Sequence, residues 1–168
     1  MPMTEAAAAR LACRIDTPLG PMRCVADAAS VRELGWHAAA SELPMVVQLG
    51  RSRPAALLAD VERQLGEYHA GVRRSFDLPL AFEGTEFQCS VWRALCEIPY
   101  GETWSYGQVA QRIARPRAVR AVGLANGANR IAIIVPCHRV VNTGGALGGY
   151  SSGLERKRYL LELERRSG

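Results

Sequence analysis

The segment Pro136-Cys137-His138-Arg139 sets a thiol beside an imidazole between two apolar runs, Ile131 to Val135 and Val140-Val141. A free thiol ionises near pH ~8.5, so only a few per cent is thiolate at neutral pH. Cys137 therefore needs a neighbouring base or positive charge to act as a nucleophile, and His138 is the natural candidate. Adjacent side chains on an extended strand point to opposite faces, so His138 reaches Cys137 only at a bend or through a water. Pro136 imposes a constraint consistent with such a bend. The imidazole also needs an orienting partner from elsewhere in the fold. Taken alone, a Cys-His pair is more often structural than catalytic.

The elements that must hold this segment are read from the second half of the chain. Thr85 is a plausible N-cap with Glu86 in the first turn, ahead of a helix from Phe87 to Ile98 whose buried stripe is Phe87, Val91, Leu95 and Ile98. Pro99 and Gly101 end it. Ser105 caps a short helix, Tyr106 to Ala114, and Pro116 opens another that runs to about Asn126. Two tightly joined helices, the second carrying Arg117 and Arg120, have the form of a helix-turn-helix. The same local pattern fits an ordinary helical hairpin, and by itself it favours the hairpin. Residues 131–135 have the pattern of a buried extended segment. A stretch with Gly144, Gly145, Gly148 and Gly149 follows, then a closing helix from Leu154 to about Arg165. A hairpin or wing after the helix pair suggests a winged-helix arrangement.

The first half carries short alternating strands at 11–15 and 22–26 around Thr17-Pro18-Leu19-Gly20-Pro21, and a third near Val31 to Trp36. Pro54 opens a helix with Leu57, Leu58, Val61, Leu65 and Tyr68 at helical spacing. This half carries no recognisable chemistry. The boundary falls near Phe82 to Gly84. The expected organisation is an α+β chain with a sheet-and-helix domain at 1–83 and a winged-helix-like domain carrying the helix-turn-helix at 84–168.

Of 168 residues, 48% are hydrophobic and 22% charged, the composition of a globular protein. The longest apolar run is too short to span a bilayer, and residues 1–10 lack the apolar core of a secretory signal. A cytoplasmic protein with no membrane association is expected. The net charge of +5 is uneven: residues 1–84 carry −1 and residues 85–168 carry +6. A solvated arginine-rich surface and a polyanion partner fit that asymmetry about equally. Five cysteines cannot all pair within the chain, and no C-x-x-C spacing suggests zinc. Cys89 and Cys96, seven apart on one helix, are expected to be small buried hydrophobes.

The run Ile133-Ile134-Val135-Pro136-Cys137-His138-Arg139-Val140-Val141 resembles the active-site signature of the O6-alkylguanine-DNA alkyltransferases. Gly84-Thr85-Glu86-Phe87-Gln88 and Ile98-Pro99-Tyr100-Gly101-Glu102-Thr103 look like that family's domain-opening segments. Ser105-Tyr106-Gly107 and Arg120-Ala121-Val122-Gly123 look like its helix-turn-helix. Gly149-Tyr150-Ser151 and Lys157 to Glu164 are similar to its wing and last helix. The likeness covers residues 84–164 in order; the first half resembles the family only loosely, mainly at Thr17-Pro18-Leu19-Gly20.

The resemblance implies direct reversal of O6-alkylguanine, with O4-alkylthymine as a further candidate, by single irreversible transfer to Cys137. His138 would draw the thiol proton through a water, oriented by Glu164. Tyr106 would donate to the departing guanine, and Asn129 would hold the turn before the active-site segment. Val140, Tyr150 and Ser151 would surround and read the flipped base. Arg120 would fill the gap left in the duplex, Arg117 would meet a phosphate, and Ala121 and Gly123 would permit close approach to the groove. The implied partner is double-stranded DNA containing alkylated guanine, bound by a monomer that could assemble cooperatively. No cofactor is expected. Some members bind zinc, but Cys13, Cys24, His37 and His69 do not reproduce a four-ligand set, and no metal is expected. Two departures stand out: Asn129-Arg130 replaces a common Asn-Pro, adding positive charge, and Ser152 replaces a common Gly, which would narrow the pocket. The rival readings are a non-catalytic lesion-binding module, a winged-helix regulator, and a Cys-His hydrolase, for which no oxyanion-hole signature is present.

Overall fold

The computed structural model describes residues 10–36 and 52–168. The alanine run at the start and His37 lie outside the described residues. Strands β1 (Leu11–Ile15), β2 (Met22–Ala26) and β3 (Val31–Gly35) form an antiparallel meander in the order β1-β2-β3. The β1–β2 turn is locked by Thr17, whose hydroxyl donates to the Gly20 carbonyl at 2.6 Å and accepts from the Leu19 amide at 3.2 Å. Gly20 sits at φ +101°, a conformation that favours glycine. Helix α1 (Arg53–His69) is capped by Ser52 and begins with Pro54 in its first turn. It lays Leu58, Val61, Leu65 and Tyr68 against the sheet, all fully buried; Leu57 is half-buried.

Helix α2 (Glu86–Leu95) opens with a capping box in which Thr85 and Gln88 satisfy each other's backbone amides. It ends short of Ile98. Its packed face is Val91, Trp92, Ala94 and Leu95, with Ile98 buried just beyond and Phe87 only half-buried. Cys89 is half-buried and Cys96 exposed, contrary to expectation. At 100° per residue both cysteines do share one side of α2, but it is the side roughly opposite Val91, Leu95 and Ile98.

A second capping box, Ser105 with Gln108, starts α3 (Tyr106–Arg112). The chain leaves α3 through a Schellman closure: the Arg115 amide bonds the Ala110 carbonyl and the Ala114 amide bonds that of Gln111, with Ala114 at φ +56°. Pro116 then sits in a turn closed by the Ala118 amide on the Arg115 carbonyl, so α4 spans Val119–Gly127 instead of opening at Pro116. Helices α2, α3 and α4 pack on one another, and the Trp92 indole donates to the Ala125 carbonyl at 2.9 Å.

Residues 131–135 are buried, as their apolar character implies, but they do not run as one strand. The Val135 amide returns to the Ile131 carbonyl and the Ile134 amide to that of Ala132, with Ile133 at φ +70°. The outer side of this loop pairs with β3: the Leu34 amide bonds the Arg130 carbonyl and the Ala132 amide bonds the Leu34 carbonyl, both at 2.8 Å. The loop therefore docks onto the free edge of the meander. Strands β4 (Trp104–Ser105) and β5 (Val140–Val141) form a two-residue parallel pair. The wing is short, a turn over Asn142–Ala146 followed by glycine-rich chain. Helix α5 (Leu154–Ser167) closes the fold, burying Lys157, Leu160 and Glu164.

Candidate active site

Cys137, His138 and Arg139 form one 3-10 turn and are all buried. This turn is the bend that the sequence around Pro136 implies. Asn129 braces the approach to it: its amide nitrogen donates to the carbonyls of Val135 (2.9 Å) and Ile131 (3.4 Å), and its oxygen accepts from the Ile131 amide (3.0 Å). Asn126, on α4, donates to the Cys137 carbonyl at 3.4 Å.

The charged groups behind this turn come from α5. Its buried stripe contains two ionisable residues seven apart on one helical face, Lys157 and Glu164. Glu164 Oε1 accepts from His138 Nε2 at 2.7 Å, from Tyr68 Oη at 2.7 Å and from Arg139 Nη2 at 2.9 Å. Its Oε2 accepts from Arg139 Nε at 2.9 Å and from the Gly101 amide at 3.2 Å. Arg139 also donates to the Ile98 carbonyl at 2.6 Å and lies over the Tyr100 ring. Burial works against the Glu164 charge, but the hydrogen bonds from His138 and Arg139 and the Arg139 charge outweigh it and hold the carboxyl well below its ordinary range.

That fixes the state of the imidazole. Burial, only partly offset by Glu164, pulls the His138 pKa below its ordinary value, so the ring is neutral at pH 7. With a charged carboxylate on Nε2, the proton belongs there. Nδ1 then carries a lone pair; it is buried and has no hydrogen-bond partner among the described residues. Burial likewise pushes the Cys137 thiol up, against smaller opposing effects of Asn129, Tyr150 and Lys157. The resting site thus holds a thiol and a neutral base. Lys157, brought down to about 8 by burial, donates to the carbonyls of Val140 (2.6 Å) and Gly149 (3.1 Å), tying the turn to the glycine-rich segment.

A cavity of about 340 Å³ opens in front of this group, lined by Tyr106, Gly123, Asn126, Gly127, Gly149, Tyr150 and Ser151. Tyr106 stays protonated because burial, and the nearby Cys137, raise its pKa. Of the residues expected at the site, Tyr106, Gly123, Tyr150 and Ser151 form the cavity wall. Cys137, His138, Asn129 and Glu164 form the group behind it. Val140 is buried and does not line the cavity; its amide bonds the Cys137 carbonyl and its carbonyl takes Lys157. Ser152 is buried and does not line the cavity, whereas Ser151 does, so the structure gives no support to a narrowing by Ser152. Arg130 faces Glu33 of β3 at 3.7 Å, which offsets the positive charge it was expected to add.

Arg120 and Ala121 are exposed on the first turn of α4, beside exposed Val119 and Leu124. Arg117 lies in the α3–α4 turn with Arg115, Pro116 and Ala118, at a separate cavity of about 510 Å³. Sequence reading missed Tyr68, Lys157 and Arg139 as parts of the site. For Lys157 a signal was present, since a cation three residues from Leu160 and seven from Glu164 sits in the apolar stripe of α5. Among the described residues no group of three or more His, Cys, Asp or Glu side chains gathers as a metal site, and no helix is long and apolar enough to cross a membrane.

Residues 86–166 match the family model described as 6-O-methylguanine DNA methyltransferase, DNA binding domain. A methylated-DNA–protein-cysteine methyltransferase of Methanosarcina barkeri is 46% identical over 150 residues, covering 89% of this chain and 94% of that protein. The crystal structure of Mycobacterium tuberculosis O6-methylguanine methyltransferase is similar at a TM-score of 0.81 and 41% identity, covering 95% of both chains. That of Mycobacterium tuberculosis OGT in complex with DNA is similar at 0.77 and 44% identity, covering 94% of both.

Proposed function

The chain belongs to the methylated-DNA–protein-cysteine methyltransferase family, and we propose that it repairs O6-alkylguanine in double-stranded DNA by taking the alkyl group onto Cys137. The observation that carries this is the state of His138. One ring nitrogen is committed to a buried carboxylate, and the other is a buried lone pair with no partner among the described residues, next to a buried thiol. A buried acceptor of this kind calls for a hydrogen-bonded water or a proton. Passing the Cys137 proton through a water to Nδ1 generates thiolate at the moment of reaction, and Glu164 stabilises the imidazolium that forms.

The thiolate attacks the alkyl carbon, the carbon–O6 bond breaks, and its electron pair leaves on the guanine. Tyr106, held protonated at the cavity wall, donates to that guanine and lowers the charge it carries away. The thioether formed has no route to hydrolysis among these groups, so each molecule acts once. A stacked base cannot present its O6 substituent to a group behind the cavity, so the base must leave the helix at a cost of a few kcal/mol. The cavity of about 340 Å³ is of the size that a small ligand occupies. Arg120, exposed at the start of α4, fills the vacated space; Arg117 meets a phosphate. Ala121 and Gly123 keep α4 close to the groove, and the Ser151 amide and Tyr150 contact the flipped base. O4-alkylthymine is a second candidate substrate.

Residues 84–168 form the acceptor domain in this reading, and residues 1–83 support it. All the groups invoked belong to one chain, so a monomer suffices, and cooperative binding to DNA is a matter for titration. Free thiols at every described cysteine fit a reducing, cytoplasmic setting. The direct test mixes the protein with methylated-guanine duplex and weighs it intact. One alkyl group per molecule on the Cys137 peptide is expected, with Cys137→Ser inert but still binding DNA. Continued turnover, or label on Cys89, overturns the proposal.

A further inference from the structure

Among the described residues of the first half, Tyr68 hydrogen-bonds the group behind the cavity. Tyr68, on the last turn of α1, is fully buried, and its hydroxyl donates to Glu164 Oε1 at 2.7 Å, the oxygen that also takes His138 Nε2. Its ring is fixed by Phe76 (5.5 Å between centroids), Tyr100 (6.1 Å) and His69 (5.4 Å). We propose that Tyr68 is a positioning residue for alkyl transfer, through which the N-terminal half sets the geometry and basicity of the His138–Glu164 pair. The inference rests on the reading of Cys137 and His138 given above.

The physical case is one of competition at a single oxygen. Oε1 accepts from three donors, Tyr68, His138 and Arg139, and each draws on the same negative charge. Removing the phenol hydroxyl leaves more of that charge facing His138 and makes the imidazole easier to protonate. A protonated ring cannot receive the thiol proton, so the low-pH limb of the reaction moves upward. The carboxylate also loses the contact that opposes its slide toward Arg139, which loosens its hold on Nε2. Other charged or titratable groups near the pair are Lys157 on α5, Arg139 on the turn, and Tyr100 and His69 around Tyr68. None of these is altered by Tyr68→Phe, which keeps the ring and its packing.

The test uses the full chain and measures single-turnover rate constants between pH 5 and 9, with a methylated-guanine duplex and with free O6-benzylguanine. Rates are normalised to the stoichiometric endpoint, so that misfolded protein is not counted. Tyr68→Phe should slow both reactions by the same factor at neutral pH, on the order of tenfold, and move the acid limb to higher pH. Fluorotyrosine at position 68, a stronger donor of nearly the same shape, should move the limb to lower pH, and it preserves the test if Tyr68→Phe folds poorly. Phe76→Leu loosens the packing around the ring without touching the hydroxyl; it should lower Tm and leave the limb in place. An unmoved limb in both Tyr68 variants, or an equal movement in Phe76→Leu, overturns the inference and reduces Tyr68 to packing. If the wild-type protein leaves no alkyl on the Cys137 peptide, the functional reading fails and this inference falls with it.

Discussion

Glu164→Gln is the most informative single change, because it removes one charge while nearly preserving shape. In the wild-type protein five hydrogen bonds converge on this carboxylate, from Tyr68, His138, Gly101 and twice from Arg139. The Arg139 side chain is 8% exposed, so water cannot replace the lost partner. Stranding one member of a buried ion pair costs about 3–5 kcal/mol. The amide nitrogen of Gln must also face at least one donor, since both carboxylate oxygens are occupied by donors. A loss of roughly 4 kcal/mol lowers the melting temperature by about 8–16 °C in a chain of this size. The pH dependence has a definite sign. The folded-state pKa of Glu164 is depressed below its ordinary value of 4.5, so its contribution is complete above pH 4.5 and is lost progressively as pH falls below it. The stability gap between wild type and variant should therefore be constant from pH 7 to 5 and shrink below 4.5. Alkyl transfer should fall by about 10²–10⁴, the usual contribution of a positioned base. Urea denaturation followed by tryptophan fluorescence measures the first effect, and single-turnover transfer to Cys137 the second. A gap under about 1 kcal/mol at neutral pH, or one that widens in acid, would refute the assignment of Glu164 as a charged hub.

Arg120→Ala should slow duplex repair at least about tenfold more than transfer from a free alkylguanine, because the cost of base flipping is then unopposed; equal slowing would make Arg120 part of the pocket instead. Arg117→Ala should weaken binding to all duplexes alike and reduce the slope of log affinity against log salt by roughly one, read by fluorescence anisotropy at several salt concentrations. Ala114→Gly relieves a φ of +56° at the end of α3 and should raise stability by about 0.5–1 kcal/mol, without changing the transfer rate, as seen in urea melts. Lys157→Met leaves the Val140 and Gly149 carbonyls without their buried donor and should cost about 1–3 kcal/mol; a variant as stable as wild type would show that water replaces the ammonium.

Local chemistry made much of the fold legible. Thr85 with Gln88 and Ser105 with Gln108 announce two helix starts by side chains that satisfy backbone amides within one turn. The strands flanking Thr17 to Gly20 are fixed by alternation and by a glycine that the turn requires. The turn at Cys137 was signalled by Pro136. Other features depend on partners distant in sequence. Tyr68 has the spacing of an ordinary core residue, and only α5 packing beside α1 turns its hydroxyl toward a carboxylate. Residues 131–135 are as apolar as a buried strand, yet Asn129 and the edge of β3 satisfy their backbone in a loop. Ala114 in a left-handed conformation has no sequence signal at all, since glycine is the residue expected there.

The docking of residues 131–132 onto β3 has a consequence for the order of assembly. Strand β3 leaves the ribosome with an unpaired edge, a surface on which other extended chains can add. Among the described residues, that edge is covered at Leu34 by the loop before Cys137 and at Val31 by Leu80. Leu34 in turn bonds the Arg130 carbonyl and the Ala132 amide of that loop, and His138 lacks its Glu164 partner until the last helix is made. The base beside the nucleophile is therefore oriented only after α5 has been made and has packed against the Cys137 turn.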